Sequence, residues 1–173
     1  MYVPDEIDWK IIALLNEDGR LPSTEIAQKL GNVSARTVNN RIKNLTNEGI
    51  INIRAVLDPE KVGYAVLADA YIEAEPRLVR EVAREVAKFP EISYVACATG
   101  NSDVSISLRA KTIQDLFDFV TDKIGQIPGV RRTQTYILPY KLKDLDTWMP
   151  PQVTQTIDSN NVLSPEANQN GHK

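Results

Sequence analysis

Two short helical segments separated by only three residues constrain the fold of the N-terminal part of this chain more than any other feature. Residues 23–30 place apolar side chains at helical spacing, and Ser23 is their predicted N-cap residue. Residues 31–33 form a glycine-containing turn, and Ser34 is the predicted N-cap of the next helix. Because a supporting helix is predicted over 5–17, the arrangement predicts a helix-turn-helix unit. A three-helix bundle with no nucleic-acid role is the alternative.

The helix that follows the turn has one narrow apolar stripe and one polar face. Val38, Ile42 and Leu45 form the stripe at i, i+4 and i+7, and Gly49 is the predicted C′ residue. The opposite face carries guanidinium, ammonium, amide and hydroxyl groups and no carboxylate. Arg and Lys donate to guanine edges or phosphates, and Asn pairs with adenine. An ordinary amphipathic surface helix is the alternative interpretation. The predicted DNA-binding residues are Ser34, Arg36, Thr37, Asn39, Asn40, Arg41 and Lys43.

The charge distribution favours a local interaction with DNA over general binding of polyanions. The 173-residue chain has a formal net charge of −3, whereas residues 32–54 contain four basic residues and one acid. A local basic patch on an acidic protein suits specific DNA contact. Arg36, Asn40 and Lys43 occupy the centre of the predicted major-groove face. Arg41 flanks the apolar stripe, so it either braces the fold or binds a phosphate.

The second half of the chain changes to a pattern of strands and helices. Residues 104–110 alternate apolar and polar side chains, which predicts a strand with one buried face. Thr112 and Asp115 stand at the spacing of a capping box, so a helix is predicted to begin there. The order of strand, helix, strand, strand, helix and strand predicts a ferredoxin-like domain, whose open sheet face is predicted to pair with a second copy of the chain. The predicted strands are 64–73, 92–99, 104–110 and 130–138, and the predicted helices are 76–90 and 112–124.

A short alternating segment lies between the two halves. Ile51, Ile53, Ala55 and Leu57 recur at every second position, which predicts a strand that serves as a wing or a linker.

Several short motifs together resemble the Lrp/AsnC family, the feast/famine regulators of bacteria and archaea, over residues 5–141. The motifs similar to that family's DNA-binding domain are Asp8, Asp18-Gly19-Arg20, Ser34 to Leu45 and Glu48-Gly49-Ile50-Ile51. The motifs similar to its linker are Leu57-Asp58-Pro59 and Gly63, and those similar to its effector-sensing domain are Gly100-x-x-Asp103 and Pro128-Gly129-Val130.

The resemblance implies an α+β fold, with a winged helix-turn-helix domain followed by a ferredoxin-like βαββαβ domain of the RAM type. It implies double-stranded DNA as a partner and sheet-to-sheet homodimers that assemble into tetramers or octamers. It also implies small ligands, usually amino acids, near the turn at 100–103, where the family frequently has an aromatic residue and this chain has Ser102. The predicted domains are a helix-turn-helix domain at 1–50, a linker strand at 51–63, an effector-sensing and oligomerisation domain at 64–147, and a polar, disordered tail at 148–173.

The turn at 100–103 has chemistry that suits an amino acid. Its backbone N–H groups, the Asn101 amide and the Asp103 carboxylate can hold an α-carboxylate and an α-ammonium group. The alternative is that Gly100 and Asn101 provide a turn and Asp103 an Asx contact. The predicted effector-binding residues are Gly100, Asn101, Ser102 and Asp103, with hydroxyls added by Thr133 and Thr135.

The sequence contains no motif for catalysis. The only histidine is His172 in the polar tail, which leaves no histidine for general acid–base chemistry in the predicted domains. Cys97, the only cysteine, lies in an apolar strand and is predicted to be a small buried residue in a reducing cytoplasm. No zinc spacing, phosphate-binding loop or membrane-spanning run is present. We therefore predict a protein without enzymatic activity, metal or cofactor. The resemblance implies a DNA-binding regulator that is modulated by an amino acid or a related small metabolite. A metabolite-sensing oligomerisation module without DNA binding is the alternative.

Overall fold

The computed structural model describes residues 2–143 and 148–151, so most of the predicted tail lies outside the described residues. The chain divides into two compact units, Met1–Ala55 with Lys143–Lys173, and Val56–Leu142. The finer domain limits at 50, 63 and 147 stay predictions.

Residues 2–55 of the first unit form three helices around a small apolar core. They are α1 (Glu6–Glu17), α2 (Ser23–Leu30) and α3 (Ala35–Asn47), which confirms the predicted helix-turn-helix order. The core residues Ile11, Leu14, Ile26 and Val38 come from all three helices. Because each helix contributes only one apolar face, the opposite faces are left to solvent.

The predicted ends of α3 are confirmed. The Ser34 hydroxyl accepts a hydrogen bond from the Thr37 backbone N–H at 3.1 Å, as an N-cap residue does. At the other end Gly49 has a φ of +69°, and the Ile50 N–H donates to the Leu45 carbonyl at 2.9 Å. This is a Schellman motif, which ends the helix by satisfying its last carbonyl groups.

Two predictions about local structure in this part of the chain are wrong. Ser23 is the first residue of α2 rather than its N-cap, because Pro22 takes the cap position and its carbonyl accepts the N–H groups of Glu25 and Ile26 at 3.0 Å. Residues 51–57 form no strand. An alternating segment becomes a strand only beside another strand, and the sheet in the described part of the chain consists of four strands from the second unit.

The second unit is a four-stranded antiparallel sheet with two helices, in the predicted order. The strands are β1 (Val66–Ala74), β2 (Ile92–Cys97), β3 (Val104–Ala110) and β4 (Val130–Ile137), and the helices are α4 (Val79–Val86) and α5 (Ile113–Asp122). The spatial order β2-β3-β1-β4 is that of a ferredoxin-like sheet. The predicted capping box is confirmed, since the Asp115 N–H donates to Thr112 Oγ1 at 3.0 Å and the Thr112 N–H donates to Asp115 Oδ2 at 3.1 Å.

Alternate residues of the central strands form the core of the second unit. Val104, Ile106 and Leu108 are buried, as predicted, while the residues between them are partly exposed. Cys97 is exposed, so the prediction of a buried cysteine is wrong. It ends β2, which lies at the edge of the sheet and has a neighbouring strand on one side only.

Gly129 lies where the chain enters β4 and packs against the turn before α4. Its φ is +93°, and a Cβ atom added to it would lie 2.8 Å from Leu78 Cδ1 and 2.9 Å from Leu78 Cβ. The Gly129 carbonyl accepts the Glu75 N–H at 2.8 Å, which holds the two segments together. Only glycine fits both this backbone conformation and this contact.

Candidate nucleic-acid interface and ligand sites

The polar face of α3 is exposed over its whole length. Val38 and Leu45 are fully buried, so the opposite side of the helix faces solvent. Arg36, Asn40 and Lys43 are exposed, and within the described residues their side chains form no hydrogen bond or ion pair. Their donors and acceptors are therefore available to another molecule. Thr37 and Asn39 beside them, and Ser34 at the N-cap, are also exposed.

Part of the hydroxyl chemistry at the start of α3 is used within the helix. Ser34 Oγ accepts the Thr37 backbone N–H and lies 2.9 Å from Thr37 Oγ1. One hydroxyl can donate to the other and still accept further bonds, so both remain suitable for a phosphate or base contact.

Arg41 lies on α3 but its guanidinium is bound to the start of α1. Its Nη1 atom lies 2.8 Å from Asp5 Oδ2 and 2.9 Å from Asp8 Oδ1. Asp8 is only 1% exposed, and its other oxygen accepts the Tyr2 hydroxyl at 2.7 Å. Of the two roles predicted for Arg41, these contacts are those of a residue that braces the fold.

Hydrogen bonds among Tyr2, Asp5, Asp8 and Arg41 shift the pKa values of several of these groups. The backbone N–H of Asp8 holds the pKa of the Asp5 carboxyl below its usual value, and the Arg41 guanidinium adds to this effect against the opposing effect of burial. The hydrogen bond to Asp8 raises the pKa of Tyr2, and the same carboxylate raises the pKa of Arg41. The shifts of Asp5 and Arg41 favour their ion pair, and the shift of Tyr2 keeps its hydroxyl protonated as the donor to Asp8.

Sequence reasoning did not identify Asp5 and Asp8 as the partners of Arg41, or Tyr2 as a donor to Asp8. The available signal was the position of Asp8, which lies one helical turn before Ile12 on the inward side of α1. A carboxylate on a buried helix face needs a cation or donor close by, and Arg41 flanks the apolar stripe of the helix that packs there.

The turn at 100–103 uses its carboxylate within the sheet. Asp103 Oδ2 accepts the Ala74 backbone N–H at 2.8 Å. The Asp103 N–H donates to the Ile72 carbonyl at 2.9 Å, and its own carbonyl accepts the Ala98 N–H at 2.8 Å. Asp103 thus joins the turn to β1, a longer-range contact than the Asx contact that was the predicted alternative. Gly100 and Asn101 are exposed, and Ser102 is half-buried.

Thr133 and Thr135 lie on β4, opposite Ile72 and Ala70 of β1. Thr133 Oγ1 is buried and has no hydrogen-bond partner among the described residues, whereas Thr135 is exposed. Because β1 separates β4 from β3, Thr133 and the turn lie at the same end of the sheet but about 10 Å apart, two strand spacings.

The sheet face away from α4 and α5 is polar with exposed aromatic rings. Tyr71 and Tyr136 contact each other edge to face, with ring centroids 5.8 Å apart. The Ser107 hydroxyl donates to Asp69 Oδ1 at 2.6 Å on the same face. Tyrosine suits a protein interface because its ring is apolar and its hydroxyl can remain hydrogen-bonded.

Within the described residues, 2–143 and 148–151, there is neither a candidate metal site nor a candidate membrane-spanning helix. These residues contain no group of three or more His, Cys, Asp or Glu side chains placed to bind a metal ion. None of the helices there is long and apolar enough to cross a membrane.

A helix-turn-helix with an acid-free polar face, followed in the chain by a ferredoxin-like sheet, defines a DNA-binding regulator with a separate second domain. Residues 4–52 match the family described as winged helix-turn-helix DNA-binding, and residues 70–146 match the Lrp/AsnC ligand binding domain.

Individual relatives agree with this class. The HTH-type transcriptional regulator FL11 of Pyrococcus horikoshii is 41% identical over 140 residues, which cover 80% of this chain and 91% of that protein. A transcriptional regulator of Neisseria meningitidis solved in complex with L-Met has 25% identity and a TM-score of 0.80, over 87% of this chain and 99% of that one. E. coli AsnC has the same fold, with 23% identity and a TM-score of 0.77, over 84% of this chain and 99% of that one.

The chain therefore belongs to the Lrp/AsnC family of transcriptional regulators. A sensing module without DNA binding is not favoured, since the relatives are named HTH-type transcriptional regulators.

Proposed function

We propose that α3 reads the major groove of a specific operator, with Arg36, Asn40 and Lys43 at the centre of the contact. The observation that carries this proposal is the exposed polar face of α3, which holds two cations without ion-pair partners among the described residues and no carboxylate. Arginine can bind guanine through two hydrogen bonds, and asparagine can bind adenine in the same way.

The residues at the start of α3 have a supporting role in this proposal. Ser34, Thr37 and Asn39 bind nearby phosphates or base edges and so set the position of the helix in the groove. Arg41 is left out of the contacting set, because both of its carboxylate partners belong to the protein itself.

The regulator acts in this proposal as a homodimer or a higher homo-oligomer in the cytoplasm, where chromosomal DNA lies. The exposed tyrosines of the open sheet face, Tyr71, Tyr94 and Tyr136, support a second copy of the sheet as its partner. A two-fold dimer binds a pseudo-palindrome whose half-sites are separated by about one helical turn or a multiple of it.

An amino acid is the proposed effector, as the resemblance implied. The N. meningitidis regulator with L-Met supports the ligand class. At the turn, the exposed Asn101 amide supplies a polar group, and Asp103 Oδ2 already binds the Ala74 N–H, so the other carboxylate oxygen would have to contact the ligand. Effector binding changes DNA affinity by shifting the assembly or the spacing of the DNA-binding units, with a coupling of about 1–3 kcal/mol.

Fluorescence anisotropy tests the DNA-binding part of the proposal. The protein is titrated into labelled DNA from upstream of its own gene and into a scrambled duplex of equal length, at several salt concentrations. We expect a preference of about 1000-fold or more for the specific duplex, and an affinity that falls steeply with salt. Equal and weak binding to both duplexes would contradict sequence-specific recognition.

A further inference from the structure

A cavity in the second unit lies at the opposite end of the β2–β3 pair from the turn at 100–103. Its volume is about 590 Å³, within the range of small-molecule sites. Leu57, Pro59, Val62 and Tyr64 line one side, and the start of β2, the end of β3 and α5 line the rest. We call it the linker cavity, because residues 57–64 directly follow the first unit in the chain.

The walls of the linker cavity are mostly apolar. Val62, Ile92, Leu108 and Phe119 line it, and the last two belong to the buried core. Apolar walls of this kind hold the hydrocarbon part of a ligand, while a few polar groups set its orientation.

In the described part of the chain, one carboxylate in the lining has an oxygen without a hydrogen-bond partner. Glu91 Oε2 is buried and has no hydrogen-bond partner among the described residues. A buried carboxylate oxygen without a donor is costly, and buried polar atoms in folded proteins nearly always have one. A bound ammonium group would supply a donor to this carboxylate once the Glu91 side chain turns an oxygen toward the cavity.

The lining also contains cationic groups. Arg109 has no side-chain hydrogen bond or ion pair within the described residues, and the Lys111 ammonium lies 5.5 Å from the ring centroid of Tyr64. Asp115, the other acid in the lining, already accepts the Thr112 N–H as part of the capping box. The charges left for a ligand are therefore one carboxylate, at Glu91, and at least one guanidinium, at Arg109.

We propose that the linker cavity binds a free amino acid with an apolar side chain. Its α-ammonium group pairs with Glu91, its α-carboxylate with Arg109, and its side chain contacts the apolar walls. The proposal rests on the proposed function, that of an amino-acid-responsive regulator, and adds a ligand site separate from the turn at 100–103. Occupation ties residues 57–64 to the sheet and α5, which gives the ligand a route to change DNA affinity through the linker.

The test is calorimetric titration of the full chain with L-Leu, L-Met and L-Phe. Glu91→Gln keeps the shape of the side chain and removes its charge, and Glu75→Gln, at an exposed acid outside the cavity, is the matched control. We expect Glu91→Gln to weaken binding by about 10-fold to 100-fold, the loss typical of a charge-assisted hydrogen bond, and Glu75→Gln to leave it unchanged.

A second variant and a second ligand test whether the amino acid binds in the linker cavity. Val62→Trp fills the cavity from a half-exposed position, so the protein should fold, as its thermal unfolding will show, and lose ligand binding. N-acetyl-L-leucine lacks the ammonium group, so we expect it to bind weakly to wild type and equally weakly to Glu91→Gln.

Two results would overturn the proposal. One is the absence of binding by all three amino acids up to about 10 mM, where even a weak site is filled. The other is binding that Glu91→Gln and Val62→Trp leave intact but Asn101→Ala abolishes, which would place the ligand at the turn. If the expected ligand pattern holds while the protein fails to prefer its own upstream DNA, the proposed function fails and the cavity assignment stands.

Discussion

The polar face of α3 and the turn at 100–103 were both predicted from sequence as binding sites, yet their side chains have different partners. Arg36 and Lys43 on α3 have no ion-pair partner within the described residues. Asp103 in the turn is bound to the backbone of β1 through its carboxylate. Residue type and spacing identify a polar surface in both regions, but only the contacts show which groups are still available to a ligand.

The same difference separates two arginines of α3. Arg36 is exposed and unpaired among the described residues, whereas Arg41 is 25% exposed and contacts two carboxylates. Replacing Arg41 should therefore change stability, whereas replacing Arg36 should change DNA affinity.

The largest expected effect on stability is that of Arg41→Ala. It leaves Asp8, which is 1% exposed, without its cation, and we expect the free energy of unfolding to fall by about 2–3 kcal/mol, less than for a fully buried pair. Urea denaturation measures the change. Arg20→Ala is the control, because that side chain is 95% exposed and its pair with Asp18 is 3.9 Å long. Unchanged stability with weaker DNA binding would instead assign Arg41 to a phosphate.

Arg36→Ala should weaken binding to the specific operator by about 1–3 kcal/mol if Arg36 reads a base. The free energy of unfolding should stay the same, since the side chain has no partner within the described residues. Anisotropy titrations with specific and scrambled duplexes measure both affinities. An equal loss on the two duplexes would show a phosphate contact.

Asp103→Ala should lower stability by about 1–2 kcal/mol, because it leaves the nearly buried N–H of Ala74 without an acceptor. Asn101→Ala, at an exposed position of the same turn, should change it by less than about 0.5 kcal/mol. Thermal unfolding compares the two variants. Similar stabilities would mean that the Asp103 contact contributes little to the fold and that its carboxylate is free to serve a ligand.

The smallest expected effect is the pH dependence of stability that Asp5 contributes. The pKa of Asp5 is lower in the folded state, so its contribution is complete well above the ordinary pKa of about 3.9 and is lost as pH falls below it. The side chain is 52% exposed, which limits this contribution to less than about 1 kcal/mol. Urea denaturation between neutral pH and pH 3 should show a flatter decline for Asp5→Asn than for wild type; parallel declines would contradict the shift.

Much of the fold could be predicted because its signals are local. The capping groups of Ser34 and Thr112 act within three residues of their own position, and the alternation of β3 can be counted along the strand. The strand predicted over 51–57 failed because a strand depends on a neighbour that local pattern does not supply.

The candidate sites were less predictable because their contacts are long-range. The partners of Arg41 lie 36 and 33 residues away, at Asp5 and Asp8. The carboxylate of Asp103 accepts from Ala74, 29 residues away. The linker cavity brings together residues near 57–64, 90–93 and 108–119, and nothing in any one of these segments marks it.

The close contact at Gly129 limits which substitutions this chain can accept at that position. The residue contacts Leu78 and holds a backbone conformation that other residues avoid. A saturation library screened for folded protein should therefore return glycine almost alone at this position, although no proposed DNA or ligand contact involves it. Invariance among descendants of this chain would record the close approach of two segments there, and a search for function guided by invariance would be misled.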